Sequence, residues 1–307
     1  MLHLNHDERL NEGCRRILFE LIDDSQDQLH GSQKELSEII HEARKNFKKI
    51  RAVIKLLRYT LGRKLYKQDN YFFRDLGRDL SAARDADVNL ETFEYIENHY
   101  SDRLDDVFVN TIKDYLQERR YHIQLYEIKT KGVLNQLADQ LLQYKTELHD
   151  WPFIEHEFQA IEPGLLKTYK SGRKEFHKAY KKQKPKHFHE WRKEVKYHRY
   201  QLDLLSILWP GMFKQWEDEA HTLTDLLGME HDIQVLHEVL IKAASEQDNI
   251  NPGDVEWSGV KDDIVDSLRQ KARPLGKRLY AEEPGQFIDR MEHYWKAAYE
   301  TSPQSQS

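Results

Sequence analysis

The chain has 307 residues, of which 39% are hydrophobic and 33% charged, and a net charge of −6. That length allows one large domain or two ordinary ones, and the scarcity of Gly (13) and Pro (8) favours long amphipathic helices over turn-rich sheet. No run approaches the roughly 20 apolar residues of a bilayer span, the first residues lack a signal-peptide core, and a lone Cys14 excludes an internal disulfide or cysteine metal cluster, so a cytoplasmic protein is expected.

Apolar spacing predicts a first helix at about 5–30, with Leu10, Ile17, Leu18, Leu21 and Ile22 on one face. Ser32–Glu35 reads as a capping box opening a second helix over about 33–62. Its seam is Leu36, Ile40, Ala43, Phe47, Ile50, Ile54, Leu57 and Leu61, and Gly62 is its expected stop. A third helix at about 67–99 carries Phe72, Leu76, Leu80, Ala83 and Leu90. A fourth, at about 102–128, carries Leu104, Phe108, Ile112, Tyr115 and Leu116. Lys131-Gly132 interrupts, and one more helix runs to about His149.

Trp151-Pro152 and Glu162-Pro163-Gly164 place a boundary near 150. Beyond it, helices are expected at about 164–183, 186–209, 212–247, 258–280 and 285–300. Asn249–Asp254 is expected to form a polar loop and Pro303–Ser307 a frayed tail. The fold class expected is all-α: two pseudo-symmetric antiparallel four-helix bundles, residues 1–150 and 151–307, arising from an internal duplication.

The duplication is written in cations. His41, Arg44, Lys45, Lys48 and Arg51 recur without a gap as His189, Arg192, Lys193, Lys196 and Arg199. Leu76, Leu80 and Arg84-Asp85 likewise match Leu223, Leu227 and His231-Asp232. Residues 41–67 carry +9 and residues 167–199 carry +10, which leaves −25 on the rest of the chain. Such segregation points to a local anion site within an acidic protein.

On the second helix His41, Arg44, Lys48, Arg51, Lys55 and Arg58 step by three and four, a stripe about 26 Å long. Each of the first four follows a seam residue by one position, so the cations border the buried face and do not oppose it. The second copy has the same phase, with Phe188, Trp191 and Val195 preceding His189, Arg192 and Lys196. Upstream, Lys167, Lys170, Lys174, His177 and Lys181 repeat the helical step. Few acids stand where they would pair the stripe along its own helix. A linear polyanion would relieve the repulsion, through bidentate Arg contacts and mobile Lys charges, and would draw His41 and His189 toward their charged forms.

These residues resemble the CHAD family, the conserved histidine α-helical domain. The doubled His-x-x-Arg-Lys-x-x-Lys-x-x-Arg signature carries the resemblance, supported by the segments around Arg84-Asp85 and His231-Asp232. The resemblance implies paired helical bundles with a basic central surface, binding to inorganic polyphosphate, and a link to polyphosphate granules and their enzymes. It implies that His41, Arg44, Lys45, Lys48, Arg51, Lys55, Arg58, His189, Arg192, Lys193, Lys196 and Arg199, with Lys167, Lys170, Lys174 and Lys181 upstream, contact the anion. Departures are Tyr197 in place of the second Lys of Lys48-Lys49, and Asp203 where the first copy has Lys55. The Glu-x-Glu-x-Lys motif of the triphosphate-hydrolase domain that accompanies many relatives is absent, so a binding module without catalysis, cofactor or membrane partner is expected.

Other motifs are weaker. Glu38-x-x-His41 has the spacing of a helix-borne di-iron pair, but the nearest second pair, Asp218-x-x-His221, lacks the glutamate. His231-Asp232 recurs in metal phosphohydrolases, yet helix packing is the plainer reading. Arg15 and Arg16 could activate Cys14, although an ordinary helix cysteine fits as well. Trp191, Trp209, Trp216, Trp257 and Trp295 read as core rather than as a base-stacking platform. RNA or DNA binding through the same cations, and a polyphosphate or triphosphate hydrolase, are the alternatives to non-catalytic polyphosphate binding.

Overall fold

A computed structural model describes residues 3–5, 7–31, 34–148, 151, 158–246 and 255–300. Ser32 and Gln33 of the expected capping box, the Asn249–Asp254 loop and the Pro303–Ser307 tail lie outside them. Among the described residues the regular structure is helical throughout. The α-helices are α1 (Leu10–Gly31), α2 (Leu36–Leu56), α3 (Gly62–Asp79), α4 (Ser81–Tyr100), α5 (Asp106–His122), α6 (Val133–Glu147), α7 (Glu162–Lys182), α8 (Pro185–Leu204), α9 (Pro210–Glu246), α10 (Val255–Leu279) and α11 (Pro284–Glu300).

Four boundaries differ from expectation for local reasons. The third expected helix is two, because Leu80 leaves helical geometry (φ −96°, ψ 1°) beside Gly77, a weak helix former. The Ser81 hydroxyl donates to the Arg78 carbonyl there at 2.6 Å, competing with the helix ladder. The expected fourth helix starts later, where Asp105 accepts from the amides of Val107 (2.9 Å) and Phe108 (3.0 Å) as N-cap. It then widens into a π-helix over Ile123–Thr130 before Gly132, whose φ of 62° suits glycine, turns the chain. Finally, α2 ends at Leu56 and α8 at Leu204, so Arg58 lies in the turn between α2 and Gly62, which has φ 75°.

α2 and α8, the two signature helices, pack directly on each other. α7 lies against both, and α4 packs on α9. Gly164 lets α7 approach α2: a Cβ there would meet the Leu56 carbonyl oxygen at 1.8 Å. Buried side chains form two clusters, and each draws on both halves of the chain. The larger joins Phe47 and Ile54 of α2 to Tyr169 of α7, Trp191 of α8 and Phe287 of α11. The smaller joins Phe93 of α4 and Ile112 of α5 to Ile233 of α9 and Trp257 of α10. The apolar cores therefore do not divide at residue 150.

Candidate anion-binding site

The phase read from the sequence explains the geometry. Ile40, Ala43, Phe47, Ile50 and Ile54 on α2, and Phe188, Trp191 and Val195 on α8, are buried. The cation one step on from each is held at the edge of that packing, half covered by the neighbouring helix. The seam of α8 continues with His198, fully buried among Tyr169, Trp216, Tyr280 and Phe287. Burial pushes its imidazole down to about 3, so it is neutral.

The structure sorts the expected contacts into committed and uncommitted cations. Lys55 donates to Glu194 across the α2–α8 interface at 2.8 Å, with its ammonium 4.0 Å from the centre of the Tyr197 ring. Arg199 pairs with Glu217 at 2.6 Å, Lys45 with Glu42 at 3.0 Å and Lys193 with Glu190 at 2.7 Å. Arg51 donates to the Asn70 side chain at 3.1 Å. Arg58 lies over the rings of Tyr59 and Tyr66. The acids that pair Lys55 and Arg199 of the stripe stand on neighbouring helices rather than on the stripe's own helix. Glu217 and Glu194 reach it from across helix interfaces, and Glu42 and Glu190 pair the flanking lysines from one turn before them.

Of the eight Lys and Arg in the two signatures, four remain: Arg44 and Lys48 of α2, and their counterparts Arg192 and Lys196 of α8. None forms an ion pair among the described residues. Arg44 donates to the Gly77 carbonyl, one of the carbonyls left open at the end of α3. Burial, followed by Arg44, Arg192 and Arg84, pushes the Lys48 ammonium down to about 7. Burial, followed by Arg192 and Lys48, pushes Lys196 down to about 6, with Asp232 opposing. Lys48 thus feels Arg192 of the other signature, Lys196 feels Lys48, and Arg44 feels Arg192, which places all four in one electrostatic cluster.

The dipeptides Arg84-Asp85 of α4 and His231-Asp232 of α9 interact electrostatically with this cluster. Asp232 bears on Arg192 and Lys196, while burial raises its own carboxyl. Asp85 is raised by burial and drawn back by Arg44, Lys48, Arg119 and Arg84. The His231 ring lies 4.1 Å from that of His189, and burial followed by His189 and Arg192 pushes it down to about 3. His41 is exposed and lowered by burial and then by Arg84; His189 is lowered by burial and then by Lys193 and Arg192. Arg84 itself pairs with Glu91 at 3.1 Å. The signal for these four residues was the second repeat, offset by 147, one residue short of the 148 of the first.

Lys167, Lys170, Lys174 and Lys181 lie exposed on α7, and none is among the charges acting most strongly on Lys48 or Lys196. Among the described residues no group of three His, Cys, Asp or Glu side chains is placed to hold a metal. Glu38 pairs with Lys34, Asp218 with Lys214 and His221 with Asp225. Cys14 is buried, and burial raises its thiol to about 12, the opposite of activation. Trp191, Trp257 and Trp295 are core residues, whereas Trp209 is 53% exposed at the turn before α9. No described helix is long and apolar enough to cross a membrane.

The model of the CHAD domain family matches residues 16–241. The chain belongs to the CHAD family. That span takes in both signature helices and both acidic dipeptides. The fold is similar to the crystal structure of the CHAD domain from the plant Ricinus communis, with a TM-score of 0.53 and 17% identity, covering 98% of this chain and 95% of that one. No curated protein sequence matches the chain.

Proposed function

We propose that this CHAD protein binds inorganic polyphosphate without cleaving it, along a basic groove where α2 and α8 meet. The observation that carries the reading is the quartet Arg44, Lys48, Arg192 and Lys196. Two residues from each signature are gathered at one helix pair, partly desolvated and without ion pairs. Confined like charges cost stability unless an anion joins them. Phosphate oxygens accept bidentate bonds from Arg and point-charge contacts from Lys. The more exposed Lys45, Lys193 and His41 would extend the contact along a chain. Polyphosphate granules, and an enzyme that makes or consumes the polymer, are the corresponding location and partner.

Binding of this kind releases counterions, so log affinity should fall linearly with log salt. Titration with polyphosphate and with single-stranded RNA at several salt concentrations tests this. The proposal expects a steep slope and tighter binding of polyphosphate. Equal affinity for RNA would move the reading to nucleic acid. Phosphate release in the presence of Mg²⁺ or Mn²⁺ would replace binding with hydrolysis.

A further inference from the structure

Away from the α2–α8 centre the molecule has a basic concavity. It opens between α9 and the junction of α5 with the π-helix, encloses about 470 Å³, and is lined by Tyr115, Arg119, His122, Ile123, Val239 and Lys242. That volume falls in the range of small-ligand sites. Three basic side chains border it, and none of its described lining residues is a carboxylate. The walls between them are the faces of Tyr115, Ile123 and Val239.

Neighbouring arginines on α5 are used differently. Arg120 is committed to the fold: its Nε donates to the buried Asp87 at 2.7 Å. Arg119 turns to the cavity instead, and its covered Nη1 has no acceptor. A guanidinium with an unfilled donor is available to an oxyanion. The π-helix begins at the cavity wall, at Ile123, and such wide turns occur often at functional sites.

We propose that this cavity is a second phosphate site, receiving a phosphoryl group through Arg119, His122 and Lys242. Its position says which source is favoured. α5 packs on α4, and α4 packs on both α2 and α9. Asp85 on α4 feels Arg44 and Lys48 of the centre and also Arg119. The cavity therefore adjoins the central cluster, and the phosphoryl group is that of a long polyphosphate chain running on past Arg84. This choice of source rests on the reading of the centre as a polyphosphate site; the existence of a phosphate site in the cavity does not.

The experiment uses the full chain, as wild type, as Arg119→Glu with Lys242→Glu, and as Lys48→Glu with Lys196→Glu. Each is titrated with long-chain polyphosphate, tripolyphosphate and glycerol 2-phosphate, after circular dichroism has shown retained helix. The cavity variant should bind long chains about tenfold more weakly, the scale of one lost charge-assisted contact, and tripolyphosphate as before. If it misfolds, Arg119→Gln with Lys242→Gln replaces it, with a smaller loss expected. Glycerol 2-phosphate binding that survives the Lys48/Lys196 changes and disappears in the cavity variant would support the site with an ester as its source. Long-chain and monoester binding both unaffected by the cavity changes would overturn it. Wild type that binds no polyphosphate at all would instead strike the central reading, leaving the monoester titration to judge the cavity.

Discussion

Lys48 and Lys196 make the functional reading quantitative. Burial and like charges hold them at about 7 and about 6, against about 10.4 for a free lysine. A bound polyanion offsets the like charges and favours the charged ammonium against its burial, so binding at pH 7.5 should take up protons. Calorimetry in two buffers of different ionisation heat would show it as a buffer-dependent enthalpy, and affinity should weaken between pH 6 and 9. A buffer-independent enthalpy would mean that these ammoniums do not meet the ligand. The linkage sign is fixed by the depressed values: charging the two lysines costs stability as pH falls from about 10 through 7 and 6, and a bound polyanion removes that cost. At this scale the sequence was partly legible. The spacing named every cation of the quartet, but it could not separate Lys48 from Lys55. Only the fold brings Glu194 onto Lys55 and Glu217 onto Arg199. His198 was missed because an apolar seam does not announce that one of its members is a neutral imidazole.

The elements explain why two distant signatures lie together. α2 and α8 present equal phases to one interface, and α7 wedges beside them through Gly164. A methyl group at that position would collide with backbone at Leu56, which side-chain rotation cannot relieve. Gly164→Ala should therefore destabilise the fold by about 1–3 kcal/mol, the usual cost of overpacking, and more if the helices cannot shift. A denaturant midpoint equal to that of wild type would show that α7 does not brace α2. Helix existence was legible from periodicity; helix ends were less so. Leu80 continues the apolar seam of the third helix, and only the Ser81 hydroxyl and Gly77 beside it mark the break. The corresponding Leu227 lies inside the unbroken α9. The two halves thus follow one sequence pattern through different local structure.

At the scale of the whole molecule, charge and core are organised separately. Both buried clusters join residues from before and after position 150, although the sequence pattern repeats across that position. The unpaired quartet lies where α2 and α8 meet, while the chain outside the two positive segments carries −25; under the proposed function this would favour a thin linear anion over a broad one. The central claim is that the unpaired quartet holds polyphosphate. It is tested most directly by isothermal titration of long-chain polyphosphate into wild type, into Lys48→Glu with Lys196→Glu, and into the control Lys45→Glu with Lys193→Glu. The account expects the quartet variant to lose binding by at least about a hundredfold, two lost charge-assisted contacts and added repulsion, with the control losing only a few fold because those lysines are exposed and paired. A folded quartet variant that binds as tightly as wild type would contradict it.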